Sequence, residues 1–353
     1  MDSLPFWALV AVFVLAAVVV WVAGIQLSKT TDVLDARLHL GSALGGLIVL
    51  AVATNLPEIA ITVSAALSGD VSVAVGNILG GIAIQTVVLV ALDVFGRRGK
   101  GVRPLTYRAA SLTLVIEALV VVAVLTVVVA GSQLPDGLIV ARLTPDVVLI
   151  AVLWVVGLVL VQRAGRSLPW HLDGKAPDAS PHHSGHRRHQ PESPHRDYST
   201  LKASTIFAVA AVATLAAGVV LEQAGSAASK QIGLGGVLFG ATVLAAATSL
   251  PELSTGLQAV KQGDDNLAMS DIFGGNAFLP VLFLLATLLS GKAVLPAAQA
   301  SDIYLTALAA LLTLIYVTGL LFRPSRRIAG MGVDSLVVLV VYAVGVAGLF
   351  AIG

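Results

Sequence analysis

Thr54-Asn-Leu-Pro57-Glu58 and Thr248-Ser-Leu-Pro251-Glu252 are near-copies of one five-residue motif, 194 residues apart, each set inside an otherwise apolar run. The match extends in both directions. Gly46 through Glu58 lies over Gly240 through Glu252, Gly69-Asp70 over Gly263-Asp264, and Ile78-x-Gly80-Gly81 over Ile272-x-Gly274-Gly275. Sixteen of the 36 positions from 46 to 81 are identical at this offset. A bias toward Ala, Val and Leu supplies a few of these identities. It does not supply a repeated Pro-Glu pair with glycines at fixed spacing. The chain is therefore an internal duplication, and its architecture follows from what one copy can do.

The solvent of each copy is set by composition. The chain has 353 residues, of which 57% are hydrophobic and only 12% charged, with a mean hydropathy of +0.93. A soluble domain carries about 45–50% apolar and about 25% charged residues. A single core stops growing at roughly 250–300 residues and cannot absorb the excess. Lipid must take the place of water. A cytosolic enzyme, a nucleic-acid binder and a disordered scaffold are excluded. The net charge of +1 indicates no partner, and the absence of cysteine removes disulfides, thiolate metal sites and cysteine nucleophiles. No basic stretch precedes the first apolar run, so that run is expected to be a retained span rather than a cleaved leader.

A lipid-crossing helix needs about 20 mostly apolar residues. Residues 6–27, 106–130, 145–163, 201–221, 299–322 and 333–352 meet this without interruption. Residues 41–67, 71–95, 236–260 and 266–290 are apolar but broken by Pro, Gly, Asn, Glu or Asp, the residue types found in the broken helices of transporters. The expected fold is an all-α membrane protein with ten transmembrane helices. Of the 21 Lys and Arg residues, eighteen fall in loops after odd-numbered spans and three in the even-numbered ones. By the positive-inside rule both termini face outside and the long central loop is cytoplasmic. That loop, 164–200, holds His171, His182, His183, His186, His189 and His195 among Pro, Ser and Arg. Its composition reads as a disordered linker, with metal or pH sensing as the alternative. It divides the chain into a five-helix unit over 1–163 and another over 201–353. An odd number of spans makes consecutive units enter the membrane from opposite sides, as inverted-topology repeats.

Chemistry concentrates in the broken spans. A carboxylate at the bilayer centre costs at least about 2.5–3.5 kcal/mol, and this cost recurs symmetrically at Glu58 and Glu252. Pro57 takes the helical partner from the Ala53 carbonyl, and Pro251 from that of Ala247. Each copy thus offers a carboxylate, a freed carbonyl and hydroxyls at Thr54, or at Thr248 and Ser249. Hard oxygen ligands of this kind suit calcium, sodium or magnesium. A pair of helix kinks with hydrogen-bonded glutamates is the plainer alternative. Asn77, Gln85, Asp271 and Asn276 are polar groups expected to face the interior, and spacing does not separate ligands among them from structural groups. Glu117, in the fourth span, has no repeat counterpart and reads equally as a buried hydrogen-bonding group or a proton relay.

With these motifs in view, the whole chain resembles the sodium/calcium exchanger family of the calcium:cation antiporter superfamily. Members carry two inverted five-helix units, each with Gly-Thr-Ser-Leu-Pro-Glu followed by Gly-Asn-x-x-Gly-Ser-Asn. The resemblance implies cation binding at Glu58 and Glu252, with Thr54-Asn55 and Thr248-Ser249 at the Thr-Ser positions. Ala53 and Ala247 replace the first glycine, Gly81 and Gly275 replace the serine, and Gln85 and Leu279 stand where an Asn or Asp ligand is expected. Leu279 offers no oxygen. Asp271 stands where Asn is usual, so a carboxylate has shifted two turns along the helix. The candidate ligands are Glu58, Glu252, Thr54, Thr248, Ser249, Asn55, Gln85 and Asp271.

These readings lead to an expected antiporter of the cytoplasmic membrane that exchanges calcium for sodium by alternating access. It is expected to act as a monomer in the lipid bilayer, with inorganic cations as its partners and without a resident cofactor. Calcium/proton exchange is the alternative, because two carboxylates balance one calcium ion or two protons and the lost hydroxyls thin out the oxygen cages that three sodium ions need. A passive cation channel is a more distant rival. An intramembrane enzyme is disfavoured: His39 is the only histidine outside the central loop, there is no His-Glu-x-x-His helix, and Asp271 is the only aspartate well inside a span. The chain is free of cysteine, so Gly101→Cys and Gly137→Cys provide clean topology probes. Membrane-impermeant maleimide is expected to label them from opposite sides, and same-side labelling would contradict the span count.

Overall fold

The computed structural model describes residues 1, 3–38, 52–97, 99, 101–109, 111–135, 137–166, 199–234 and 239–352. The start of the first repeat, the histidine-rich segment and all seven histidines lie outside the described residues. The chain is built from α-helices: α1 Phe6–Leu38, α2 Leu56–Ser68, α3 Val71–Phe95, α4 Leu112–Gly131, α5 Pro145–Arg166, α6 Thr200–Gln231, α7 Leu250–Gln262, α8 Asp265–Phe278, α9 Leu282–Ser290, α10 Ala300–Phe322 and α11 Val333–Ile352. A two-residue antiparallel ladder, β1 Arg327–Ile328 with β2 Met331–Gly332, joins α10 to α11. Helices dominate because in lipid every backbone N–H and C=O must find its partner within the segment.

Among the described residues, seven helical stretches are long and apolar enough to cross a membrane: Phe6–Thr31, Val71–Phe95, Leu112–Gly131, Pro145–Gly165, Thr200–Gln231, Asp265–Ser290 and Ala300–Phe322. The protein is a multi-pass membrane protein. Two further expected spans are interrupted, and a third is a continuous helix of the expected extent. Those at 41–67 and 236–260 are broken ahead of α2 and α7, and that at 333–352 is the 20-residue apolar helix α11. The expected start of the fourth span also shifts. Residues 105–108 form a separate helical turn, whose Arg108 pairs with Asp265 at 3.0 Å, and α4 begins at Leu112 behind a Ser111 cap.

The repeat is visible in the local geometry. Asn55 and Ser249 both leave helical ψ, at 13° and 4°, and a proline then occupies the opening turn of α2 and of α7. Proline suits a first helical turn because its missing N–H has no partner there anyway. Both helices end on a left-handed glycine, Gly69 at φ 80° and Gly263 at φ 95°, where a side chain would be strained. The 194-residue offset thus carries over to start, break and stop alike.

Burial sorts the helices into inner and outer. The apolar windows of α3 and of the α8–α9 stretch are 72% and 67% buried, against 28%, 22% and 28% for α1, α5 and α6. The largest apolar cluster is built around α3, α4, α8, α9 and α10, with Ile78, Leu89, Phe273, Phe283 and Tyr316 fully enclosed. α1 and α6 run against each other outside this core. Each presses a glycine on a Pro-Glu segment: a Cβ on Gly24 would fall 2.6 Å from Pro251 Cβ, and one on Gly218 only 3.1 Å from the Pro57 carbonyl oxygen. Gly24 and Gly218 are themselves 194 residues apart.

The inner helices meet by backbone contact. A Cβ on Gly80 would sit 2.2 Å from Ala241 Cα, and one on Gly240 3.1 Å from the Asn77 nitrogen. Here α3 crosses a π-helical turn, Gly240–Leu244, that leads into the second break. At one end of the molecule Asp93 ties elements together. Its carboxylate accepts from Leu105 N at 2.8 Å, Gly332 N at 2.6 Å and Ser335 Oγ at 3.0 Å.

Gly80 and Gly274 are repeat-equivalent but meet different surroundings, since nothing lies within 4 Å of a Cβ on Gly274. Gly80→Ala is expected to destabilise by about 1–3 kcal/mol through overpacking. Gly274→Ala is expected to be neutral or to stabilise by up to about 1 kcal/mol, as for glycine replaced by alanine in a helix. Thermal unfolding of the two variants in detergent checks this, and equal midpoints would contradict the close crossing.

Candidate functional site

The two helix breaks bring the repeated glutamates together. Pro57 and Pro251 stand just ahead of Glu58 and Glu252 in the first turns of α2 and α7, and both glutamates are buried, at 0% and 1% exposure. Glu252 lies close enough to Glu58 and to Asp271 for direct like-charge interaction. Neither Glu58 oxygen meets hydrogen-bond geometry, although the Thr248 hydroxyl stands near enough to act on it. Glu252 Oε1 accepts a long bond from Gln85 Nε2 at 3.4 Å, while its Oε2 has no partner among the described residues. No lysine or arginine among the described residues pairs with either glutamate; the ion pair found there, Arg108–Asp265, lies elsewhere.

The hydroxyls of the second motif are oriented by the break. Thr248 Oγ1 donates to the Ala245 carbonyl at 3.2 Å and Ser249 Oγ to the same oxygen at 2.8 Å. A hydroxyl that spends its proton on a carbonyl keeps two lone pairs for a cation. Thr54 and Asn55, at the equivalent places of the first motif, are likewise buried. Asn55 and Gln85 both reach the space beside Gly275: a Cβ there would stand 3.1 Å from Asn55 Nδ2 and 3.5 Å from Gln85 Oε1. Carboxamides from the first repeat thus fill room that a side chain at 275 would have taken.

The structure also sorts the polar residues that spacing leaves undivided. Gln85 reaches Glu252. Asp271 Oδ2 accepts from Thr255 Oγ1 at 3.1 Å, which holds Asp271 against α7 one turn beyond Glu252. Asn276 Nδ2 donates to Thr86 Oγ1 at 3.1 Å and so ties α8 to α3. The Asn77 amide is buried, and neither of its side-chain polar atoms has a partner among the described residues. The Ser270 hydroxyl, next to Asp271 in sequence, stands near enough to act on the Glu117 carboxyl. Thr255, Thr86 and Ser270 were not legible as site residues, because none is duplicated at the repeat offset. The one available signal was Thr255's position three residues after Glu252, on the same helix face.

Among the described residues no three His, Cys, Asp or Glu side chains converge as a ready metal cage. What converges is two carboxylates, with hydroxyl and carboxamide oxygens beside them. Two unpaired carboxylates buried in a low-dielectric interior are unstable unless positive charge joins them. One divalent cation, two monovalent cations or two protons supply it. Hard oxygens of this number and kind select such ions over soft metals.

A sequence profile of the sodium/calcium exchanger protein family matches residues 8–162 and 202–351. The inner membrane protein YrbG of Escherichia coli (strain K12) is 26% identical over 258 residues, covering 73% of this chain and 72% of that protein. In three dimensions the chain superimposes on an H+/Ca2+ exchanger, CAX, with a TM-score of 0.64 at 13% identity, covering 98% of this chain and 87% of the other. It superimposes on the sodium-calcium exchanger NCX_Mj with a TM-score of 0.63 at 16% identity, covering 98% and 100% of the two chains. At these identities the structural likeness speaks for the fold alone.

Proposed function

The chain belongs to the sodium/calcium exchanger protein family, and from that premise we propose that it is a secondary active antiporter that exchanges calcium for sodium across the cytoplasmic membrane. The observation that carries this reading is the meeting of Glu58 and Glu252, two repeat-related carboxylates buried without a basic partner among the described residues. Calcium is the cargo that neutralises both at once. Thr54, Thr248, Ser249, Asn55 and Gln85 supply further oxygens around it, and Asp271 adds a carboxylate beside Glu252.

Coupling follows from the charge. An empty site carrying two bare carboxylates resists enclosure in a low-dielectric interior, and a filled one does not. The protein therefore changes the side it faces with a cation aboard, which makes the process exchange rather than leak. A channel lacks this constraint, and it usually presents a ring of equivalent ligands where this site has one pseudo-symmetric pair.

The proposed architecture has ten spans, in five-helix units over 1–163 and 201–353 of opposite orientation, with 164–200 as the cytoplasmic linker and both termini outside. The shared breaks and left-handed stops of α2 and α7 support the duplication. We further propose a monomer with no resident cofactor and no covalent chemistry. Protons in place of sodium are the second reading, and Leu279, with no oxygen to offer, favours it.

Purified protein in proteoliposomes, tested under imposed sodium, potassium and proton gradients in turn, separates these readings. Calcium uptake is expected with an outward sodium gradient. Uptake driven by protons in sodium-free buffer and indifferent to added sodium would establish the second reading. Glu58→Gln and Glu252→Gln preserve shape and remove charge, and each is expected to reduce uptake to the level of empty vesicles with the fold intact. Normal flux in both variants would place the site elsewhere.

A further inference from the structure

When the chain is laid over itself at the 194-residue offset, one of the expected ligands, Gln85, has an apolar counterpart. Gln85 follows Gly81 by four residues on α3, so both lie on one helix face. Its Nε2 reaches Glu252, and its Oε1, buried and without a donor among the described residues, faces Gly275 at the distance given above. The counterparts are Leu279, four residues after Gly275, and the space beside Gly81. There a Cβ on Gly81 would stand 3.5 Å from Leu279 Cδ1, and Leu279 is fully enclosed. The space beside Gly275 is thus lined by carboxamides from Asn55 and Gln85, and that beside Gly81 by the Leu279 isobutyl group. The backbone differs as well: Leu279 opens a 3-10 turn, Leu279–Val281, with Pro280 inside it, where α3 runs on as regular helix.

Resting on the antiport reading, we propose that Gly81 and Leu279 delete one of two repeat-related cation places, so that each calcium ion exchanges for only two monovalent cations and the cycle moves no net charge. A cation needs oxygens on several sides, and the Leu279 side presents none from a side chain. Asp271 does not restore the missing place. It lies eight residues before Leu279, about 12 Å along a helix at 1.5 Å per residue, and its Oδ2 is engaged by Thr255 on α7. Gln85 and Asn55 hold one coupling ion on the polar side, and the glutamate pair holds the other. Leu279 is thereby a specificity-determining residue for stoichiometry.

The test uses the full chain in proteoliposomes with calcium uptake driven by whichever monovalent gradient supports it. Membrane potential is clamped independently, and the equilibrium calcium accumulation is the readout. One net charge per cycle would change that accumulation about fifty-fold per 100 mV. Wild-type accumulation is expected to be unchanged by the potential, and a change near fifty-fold would overturn the proposal. Leu279→Gln, which copies Gln85, is expected to make accumulation voltage-sensitive and its dependence on the coupling ion steeper, with Leu279→Met behaving as wild type. Gly81→Ser, whose Cβ would meet only ordinary contact, is the second variant if Leu279→Gln folds poorly, and its expected effect has the same direction. Electroneutral exchange in the wild type with no change in a folded variant would remove Leu279 from the mechanism. A complete absence of calcium exchange under every gradient would instead defeat the antiport reading.

Discussion

Two carboxylates buried within electrostatic reach of each other in an apolar protein, with no described basic residue to answer them, are the constraint to which the rest of the structure conforms. Left empty, Glu58 and Glu252 repel each other and forgo hydration. The fold keeps hydroxyl and carboxamide groups close by them. Both helix breaks serve that end. A continuous helix through 52–68 or 245–262 would consume every backbone carbonyl and turn the neighbouring hydroxyls to other faces. The breaks at Asn55 and Ser249 instead place a carboxylate and a hydroxyl or carboxamide within one turn.

Holding broken helices in place requires contacts that do not depend on long, regular packing. Glycine provides them. Gly24 and Gly218 let the outer helices α1 and α6 touch the Pro-Glu segments directly, and Gly80 and Gly240 let α3 cross the π-helical turn at backbone distance. Such contacts transmit position well because there is no flexible side chain between the surfaces to absorb a shift. The same feature makes them intolerant of a single added methyl group. Surrounding them, α4 and α8 to α10 form the apolar body against which the broken segments are fixed.

The duplication is only partly symmetric, and its asymmetry carries chemical content. Asn55 faces Ser249 across the offset, Gln85 faces Leu279, and Asn77 faces Asp271. In each pair the two halves have diverged in side-chain chemistry, while the turn-forming residues Pro57 and Pro251 or Gly69 and Gly263 have stayed alike. Backbone geometry is shared because both copies must break and restart a helix at one place. Side-chain identity is free to differ, since the two copies bring residues together at one place.

Read alone, the sequence settles the lipid environment, the helical class, the duplication and the two glutamates. Each of these depends on local composition or on a fixed offset, and both are one-dimensional properties. The partners of those glutamates are a different matter. That Gln85 reaches Glu252 across 167 residues, that Asn55 and Gln85 fill the space beside Gly275, and that Thr255 takes up Asp271 are consequences of how α2, α3, α7 and α8 pack. The sequence marks Gln85, Asp271 and Asn276 as polar and inward-facing, yet a side chain's role depends on which atoms lie 3 to 4 Å away, and spacing along one helix carries no information about another. Only the tertiary structure could decide that Asn276 joins α8 to α3 while Gln85 meets a carboxylate, because that distinction is set by helix rotation and crossing, where a turn of one residue moves a side chain by 100 degrees about the axis.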